Sequence, residues 1–490
     1  MLRHDPPLPL AAEGQSVGLA ALAPALLTLA VGGVLYLVML LVGDKLLNDP
    51  DSYWHIVVGR WIVEHRAFPT RDPFSFTFTG APWIAKEWLS QILYAGAHAL
   101  VGWPGMVVLA AASVALALAL LTRHLLAELR PPQALLLTVG AFLLAAPHIV
   151  ARPHALAFPV MVAWVAGLVG AANREQAPSL WLLPLMVLWA NLHGGFTLGL
   201  LMVGAVGLDA IVTSAASVRV RTTLRWVGFG ALALAAACLT PYGPQSMLMT
   251  VRILGLGPAL SVISEWRAAD FSHLGGLEIV LLLALGTILW RGITLPPVRI
   301  LILLGLVHMA LSAERNGEVF GLLAPIIVAH PLATQIAAIR AEPQRAASPR
   351  LFAGVAAVLV ALLVPITFAL ASALHYAPPA RITPAAAVAA LKEAHAGPVL
   401  NQYDFGGYLV YAGLPTFIDG RTELYGGAFF ARYYRDIALA DLADFDRLLD
   451  QYKIRATLLG PETPAVAYLD RLPGWHRLYA DDIAVVHVHE

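Results

Sequence analysis

The chain reads as a polytopic α-helical membrane protein carrying a small C-terminal extracytoplasmic α/β domain. Three observations predict this. Of its 490 residues 59% are hydrophobic and only 13% charged; apolar windows near spanning length recur from residue 18 to 374; and beyond about residue 380 short strands alternate with helical segments. Soluble domains are closer to half apolar and a quarter charged, so composition argues against an ordinary globular enzyme. Lys plus Arg equal Asp plus Glu at 31 each, so no global charge advertises nucleic acid. Cys238 is the only cysteine, which leaves no internal disulfide framework.

A spanning helix needs about 20 mostly apolar residues. Windows of that kind lie at 18–43, 105–127, 133–149, 153–172, 179–192, 195–216, 223–240, 274–291, 297–312, 316–338 and 350–374. The first is too long for a signal-peptide core and reads as a retained span behind a cytoplasmic tail, 1–17. The basic, acid-poor loops "SVRVRTTLR" (217–225) and "RAEPQRAASPR" (340–350) mark the cytoplasmic side. Counting outward from both places the N-terminus inside, and puts the long loop 44–104 and the segment 375–490 outside. That count requires "EWLSQILYAGAHALVGW" (87–103) to lie along the interface, as its polar Glu87, Gln91 and His98 suggest. Ahead of it, "PTRDPFSFTFTGAPW" reads as a short extended segment. In the outer domain "GPVLNQY", "LPTFIDGR", "IRATLLG" and "IAVVHVHE" read as strands, with "AFFARYYRDI" and "LADFDRLLDQY" as helices, which predicts a small, mainly parallel sheet.

Under this topology the polar motifs gather on one side. "NDPDSYWH", "KEW" (86–88), "ARPH" (151–154), "NLHGG" (191–195), "TPYG" (240–243), "SEWR" (264–267) and "AERNG" (313–317) all fall at outer ends. Ionisable groups at the membrane are costly and point to a functional cavity by default. Asp49 and Asp51, spaced D-P-D, suit a divalent cation such as Mg or Mn, or a general base and its orienting partner, or a turn with a helix cap. Glu87 opens the interfacial helix, where it either joins the site or complements the helix dipole. Arg152 and Arg315 have the fork that matches phosphoryl oxygens, the alternatives being a snorkelling Arg or a Glu314 pair. His193 stands beside two glycines that allow close approach of a ligand or of a neighbouring helix. His55, His154 and Glu265 complete the set on this face. The histidines make no H-x-x-x-H pair and have no cysteine partner, so catalytic zinc is not expected. In the outer domain Asp419 and Arg421 follow a strand, as sugar-hydroxyl ligands or as a bridge to the membrane module, whereas Gly406, Gly407 and Gly420 make no nucleotide fingerprint and read as turns.

This arrangement resembles the GT-C superfamily of membrane glycosyltransferases, which includes the oligosaccharyltransferase catalytic subunit, protein O-mannosyltransferases and bacterial lipid A aminoarabinose transferases. Locally, the stretch from Asp49 to Gln91 is similar to the first-loop signature of a bacterial group of GT-C-like membrane proteins. The match runs through Asp51, Trp54, His55, Gly59, Pro69, Asp72, Pro73, Phe74, Ser75, Trp83, Glu87 and Trp88. The resemblance implies a GT-C-like module over 18–374 with about 11 transmembrane helices, set in a bacterial inner membrane, and an outer domain over 375–490. It implies inverting transfer of a sugar from a polyprenyl-phosphate or polyprenyl-pyrophosphate donor to an extracytoplasmic glycan, lipid or protein acceptor. Asp51, Asp49 and Glu87 would then be catalytic, with Asp49 and Asp51 as the cation ligands if a cation is used. Arg152, Arg315, His55 and His193 would face the donor phosphate, and His154, Glu265, Asp419 and Arg421 the rest of the substrates. The chain lacks the tryptophan–tryptophan–aspartate motif of oligosaccharyltransferases. Two other classes share the apolar spans. A flippase of lipid-linked sugars predicts midplane polar groups and repeated halves, and a non-catalytic scaffold of an envelope polysaccharide complex predicts function in the outer domain alone.

Overall fold

A computed structural model describes residues 19–254, 266–342 and 349–490. In lipid each backbone polar group must be paired within the protein, so an apolar window becomes a helix. All the windows above coincide with helices. These begin with α1 (Leu19–Leu41), followed by a one-turn α2 (Gly43–Leu46), α3 (Asp51–His65), α4 (Trp88–Val101), α5 (Trp103–Glu128) and α6 (Pro131–Ala145). The middle of the chain supplies α7 (Pro153–Asn173), α8 (Leu183–Leu192), α9 (Phe196–Thr213), α10 (Arg219–Ala237) and α11 (Gln245–Leu254). Then come α12 (Gly276–Arg291), α13 (Pro297–Ser312), α14 (Gly317–Gln335) and α15 (Pro349–Leu374). Prolines sit in the first turn of α5, α6, α7, α8 and α13, where the missing N–H costs no hydrogen bond. Among the described residues six helices are long and apolar enough to cross a membrane, and the segments 180–192 and 297–312 are shorter apolar helices. The chain is a multi-pass membrane protein. At its centre α7 is buried on nearly every side, with Trp164, Val165 and Leu168 inaccessible.

The expectation for 87–103 concerned whether it spans. Helix α4 has 14 residues, about 21 Å at 1.5 Å each, too short for a hydrocarbon core near 30 Å. Gly102, at φ 70° and ψ −151°, turns the chain out of α4 and into α5, a conformation open to glycine. The helix buries Ser90, Gln91 and Tyr94 and exposes Leu93, Leu100 and Val101. Its polar face thus looks into the protein and its apolar face outward, the reverse of a soluble surface helix.

The C-terminal domain, called outer after its expected side, contains α16 (Ala385–Glu393), β1 (Val399–Asn401), α17 (Gly406–Tyr411), α18 (Thr422–Ile437), α19 (Leu442–Gln451), β2 (Ala456–Leu459), α20 (Pro464–Leu469), β3 (Trp475–Ala480) and β4 (Val485–His489). The sheet order is β1-β2-β4-β3. Only β1 and β2 are parallel; β4 runs antiparallel to both neighbours, with Thr457 opposite His487. The sheet is therefore mixed, correcting the mainly parallel expectation, because β3 and β4 form a hairpin that the exposed, poorly alternating "WHRLYA" concealed.

Two further differences locate the site. "LPTFIDGR" does not join the sheet: Thr416 pairs instead with the first long loop, Phe76 N donating to Thr416 O (3.1 Å) and Thr416 N to Phe74 O (3.2 Å). "DFGGYLVY", which follows β1, runs through a short turn (403–405) into α17. Its glycines are demanded by close approach: a Cβ at Gly406 would stand 2.1 Å from Ile418 O, and one at Gly407 2.2 Å from Pro50 O. The first loop and the outer domain consequently share one hydrophobic core, in which Trp54, Val58 and Trp83 pack with Phe417, Tyr425 and Phe430.

Candidate functional site

The D-P-D turn lies where these parts meet. Asp51 is the first residue of α3, and its N–H donates to Asp49 Oδ1 (2.8 Å), a side-chain turn of the kind short acids favour. Arg152, at the residue capping α7, closes on both carboxylates. Its Nη1 reaches Asp49 Oδ2 at 3.1 Å and its Nη2 reaches Asp51 Oδ2 at 2.7 Å. The fourth oxygen, Asp51 Oδ1, faces the backbone of the outer domain: a Cβ built on Gly420 would come within 1.8 Å of it. All three side chains are mostly buried, Arg152 keeping 17% of its surface and Asp51 11%. Their pairing joins residues 101 positions apart in sequence.

One turn on from Asp51, His55 is fully buried, its ring 3.8 Å from that of Trp54, with Gln91 Nε2 at 3.3 Å from its Nδ1. Burial, reinforced by the charges of Arg152 and Lys86, holds His55 well below its ordinary range and therefore neutral. Glu87 stands 3.5 Å from His193 Nε2, and His154 stands 3.8 Å from Glu318. The His154 and His193 rings are 6.2 Å apart. Burial pushes the Glu87 carboxyl up; Lys86, Arg152 and Arg315 pull against it, and Glu423 adds to it. Three cations from three separate segments thus act on the ionisation of Glu87. Arg315 also lies 5.1 Å from the Trp266 ring.

Lys86 and Glu423 were not singled out from sequence. Lys86 Nζ pairs with Glu423 Oε1 at 3.1 Å, and Trp83 Nε1 approaches the same oxygen at 3.4 Å. Burial opposes the Lys86 charge, yet Glu423 and Glu87 together raise it. A signal was present, since Lys86 is one of four lysines in the whole chain and adjoins Glu87. Glu318, on the first turn of α14, was also missed, hidden among the apolar residues of its span.

Asp419 and Arg421 take the bridging one of their two expected roles. Arg421 is wholly buried, bonding Asp419 Oδ2 (2.6 Å) within its own domain and Asp72 Oδ1 (2.5 Å) in the first loop. Phe74 and Trp83 rings lie 5.2 and 5.0 Å from its guanidinium. Tyr425 donates to Asp419 Oδ2 at 2.9 Å, and Asp72 accepts from the Phe74 and Ser75 N–H groups. With no exposed side-chain surface, the pair forms a clasp between the first loop and the C-terminal domain. Glu265 lies outside the described residues.

With Arg152 in place, the D-P-D turn does not offer its facing oxygens to a divalent cation. Two of its four oxygens face the Arg152 guanidinium, one accepts the Asp51 N–H, and one abuts Gly420. A hard cation held by one or two carboxylates fills its other positions with water, but here the Arg152 guanidinium stands where the two facing carboxylate oxygens would meet it; among the described residues no three His, Cys, Asp or Glu side chains converge to hold a metal. An apolar groove of about 570 Å³ between α9 and α10, lined by Val203, Gly207 and Trp226, includes none of these residues and no ionisable side chain.

No family model matches the chain, and no curated protein does. Its fold does have a solved counterpart in the archaeal oligosaccharyltransferase AglB from Archaeoglobus fulgidus, determined in complex with an inhibitory peptide and a dolichol-phosphate. The two superpose with a TM-score of 0.51 at 13% sequence identity, over 89% of this chain and 69% of that one. The chain therefore shares the overall fold of that protein.

Proposed function

We propose that the protein is a membrane glycosyltransferase that moves a sugar from a polyprenyl-phosphate-linked or polyprenyl-pyrophosphate-linked donor to an acceptor on the outer side of a bacterial inner membrane. The observation that carries this reading is the convergence of Asp49, Asp51 and Glu87 with Arg152, Arg315 and Lys86 at one face of a GT-C-like bundle. The counterpart's bound dolichol-phosphate supports a lipid-linked donor. A lipid-borne phosphate also accounts for a chain without a nucleotide-binding motif.

In this reading Asp51 accepts the proton of an acceptor hydroxyl as its oxygen attacks the anomeric carbon. The new C–O bond forms as the bond from that carbon to the phosphate oxygen breaks, the electron pair leaving with the phosphate. Attack opposite the leaving group inverts the anomeric centre. Arg315 and Lys86 stand ready for the charge that develops on the leaving phosphate, where prepositioned cations act most strongly. Neutral His55 and His193 add hydrogen-bonding capacity without repelling those cations.

Asp51→Asn should lower transfer by about 10²- to 10⁴-fold, the usual range for a lost general base, with folding retained, as read by an unchanged elution profile. Transfer is read by mass spectrometry of lipid-linked sugars and envelope glycans with and without the chain. Full activity in the variant overturns the assignment of Asp51, and an unchanged glycan profile on deleting the whole chain counts against a transferase. A flippase would instead leave transferred product intact while redistributing the donor between leaflets.

A further inference from the structure

Within that transferase reading, we infer that Arg152 is the resident cation of the D-P-D turn, occupying the place a divalent metal would take and making the enzyme independent of metal. The inference rests on how the oxygens are used. A metal bridging Asp49 and Asp51 would need at least one oxygen from each; the two that point at a shared centre, Asp49 Oδ2 and Asp51 Oδ2, meet at Arg152 Nη1 and Nη2, 3.1 and 2.7 Å away. Of their companions, Asp49 Oδ1 accepts the Asp51 N–H at 2.8 Å, and Asp51 Oδ1 lies on the Gly420 side, away from that centre. A planar guanidinium presents two parallel donors and matches a pair of carboxylate oxygens as a spherical lysine ammonium does not.

The backbone around the pair is built to keep that arrangement. Arg152 N donates to Val150 O and Ala151 N to Leu46 O (2.6 Å), fixing the segment before α7 against the start of the first loop. Ser52 Oγ approaches Ala151 O at 3.4 Å, and Tyr94 OH donates to Arg152 O at 3.1 Å. The outer domain closes the remaining side, since Gly407 rests on Pro50 O and Gly420 on Asp51. Arg152 is thus a positioning residue: it holds the two carboxylates in register with each other and with the acceptor side of the site. The leaving phosphate falls to Arg315 and Lys86. This departs from the expectation that Arg152 itself grips the donor.

The test uses the full-length protein in lipid nanodiscs. Wild type, dialysed against EDTA and then offered Mn²⁺ or Mg²⁺, should bind no stoichiometric metal by calorimetry and Mn²⁺ electron paramagnetic resonance. Transfer should be unchanged by EDTA. Arg152→Gln frees both carboxylates and should gain a Mn²⁺ signal that disappears in the Asp49→Asn background. Arg152→Gly should lose about 10²-fold in kcat, as for removal of one preorganised donor, with the donor KM little changed and partial recovery on adding guanidinium ion. Stoichiometric Mn²⁺ on wild type that is lost in Asp49→Asn overturns the inference. So does EDTA-sensitive transfer restored by Mn²⁺, or an Arg152 variant that raises only the donor KM. The metal-binding measurements on wild type decide the matter even if the Arg152 variants fail to fold. They also do so if no transfer is found, in which case the transferase reading fails alone.

Discussion

Gly420 shows what single residues do here that a pattern does not display. In sequence it is a glycine after an aspartate and reads as a turn; in the structure it is where the outer domain touches Asp51, with no room for a Cβ, which would fall 1.8 Å from Oδ1. Gly420→Ala must therefore push either the carboxylate or the 419–421 segment aside, at the 1–3 kcal/mol typical of overpacking. It should lower transfer at least as far as it lowers stability, because the atom displaced first belongs to the proposed base. Thermal melts and kcat on the same preparation check this, and a variant with normal kcat would show that Asp51 tolerates displacement. Individually, Asp49, Asp51, Glu87, Arg152 and Arg315 were legible as costly charges at the ends of apolar segments. Their partners were not, because an ion pair across 101 residues leaves no local trace. Lys86 was readable only as a rare lysine, and its partner Glu423 not at all.

At the level of elements, the helices were legible because lipid leaves an apolar segment no alternative to internal hydrogen bonding. The extended first-loop segment was legible too, but its partner was not: strand signals in "FSFTFT" and "LPTFIDGR" were each present, and their pairing with one another rather than with the sheet depends on tertiary packing. The clasp of Asp72, Arg421 and Asp419 secures that pairing with a fully buried guanidinium. Removing one partner of a buried pair leaves the other charge without compensation, about 3–5 kcal/mol, whereas replacing the group by apolar side chains of like volume costs far less. Arg421→Ala should accordingly make the loop 66–86 sensitive to protease from the outer side. Arg421→Met combined with Asp72→Asn and Asp419→Asn should recover most of the resistance. If Arg421→Ala alone leaves the loop protected, the clasp does not hold the first loop in place.

For the molecule as a whole, the boundary near residue 375 separates compositions but not structural units. The core that buries Trp54, Val58, Ile62 and Trp83 is completed by Phe417, Ile418, Tyr425 and Phe430 from the other side of that boundary. The D-P-D turn is roofed by Gly407 and Gly420, and Lys86 is held by Glu423. The outer domain is therefore a wall of the proposed site, which neither composition nor hydropathy could reveal. This changes what a truncation tests. Deleting 375–490 should abolish transfer whether the outer domain binds acceptor or only supports the first loop, so its loss of function does not favour a scaffold over an enzyme. The informative comparison is between the deletion and Asp51→Asn in one assay of glycan product together with protease resistance of 44–104. The deletion should lose both, since it strips the apolar cover from Trp54 and Trp83. Asp51→Asn should lose product while the loop stays protected. A deletion that keeps the loop resistant and still transfers sugar would show that the outer domain is dispensable, and would remove Glu423, Gly407 and Gly420 from the site.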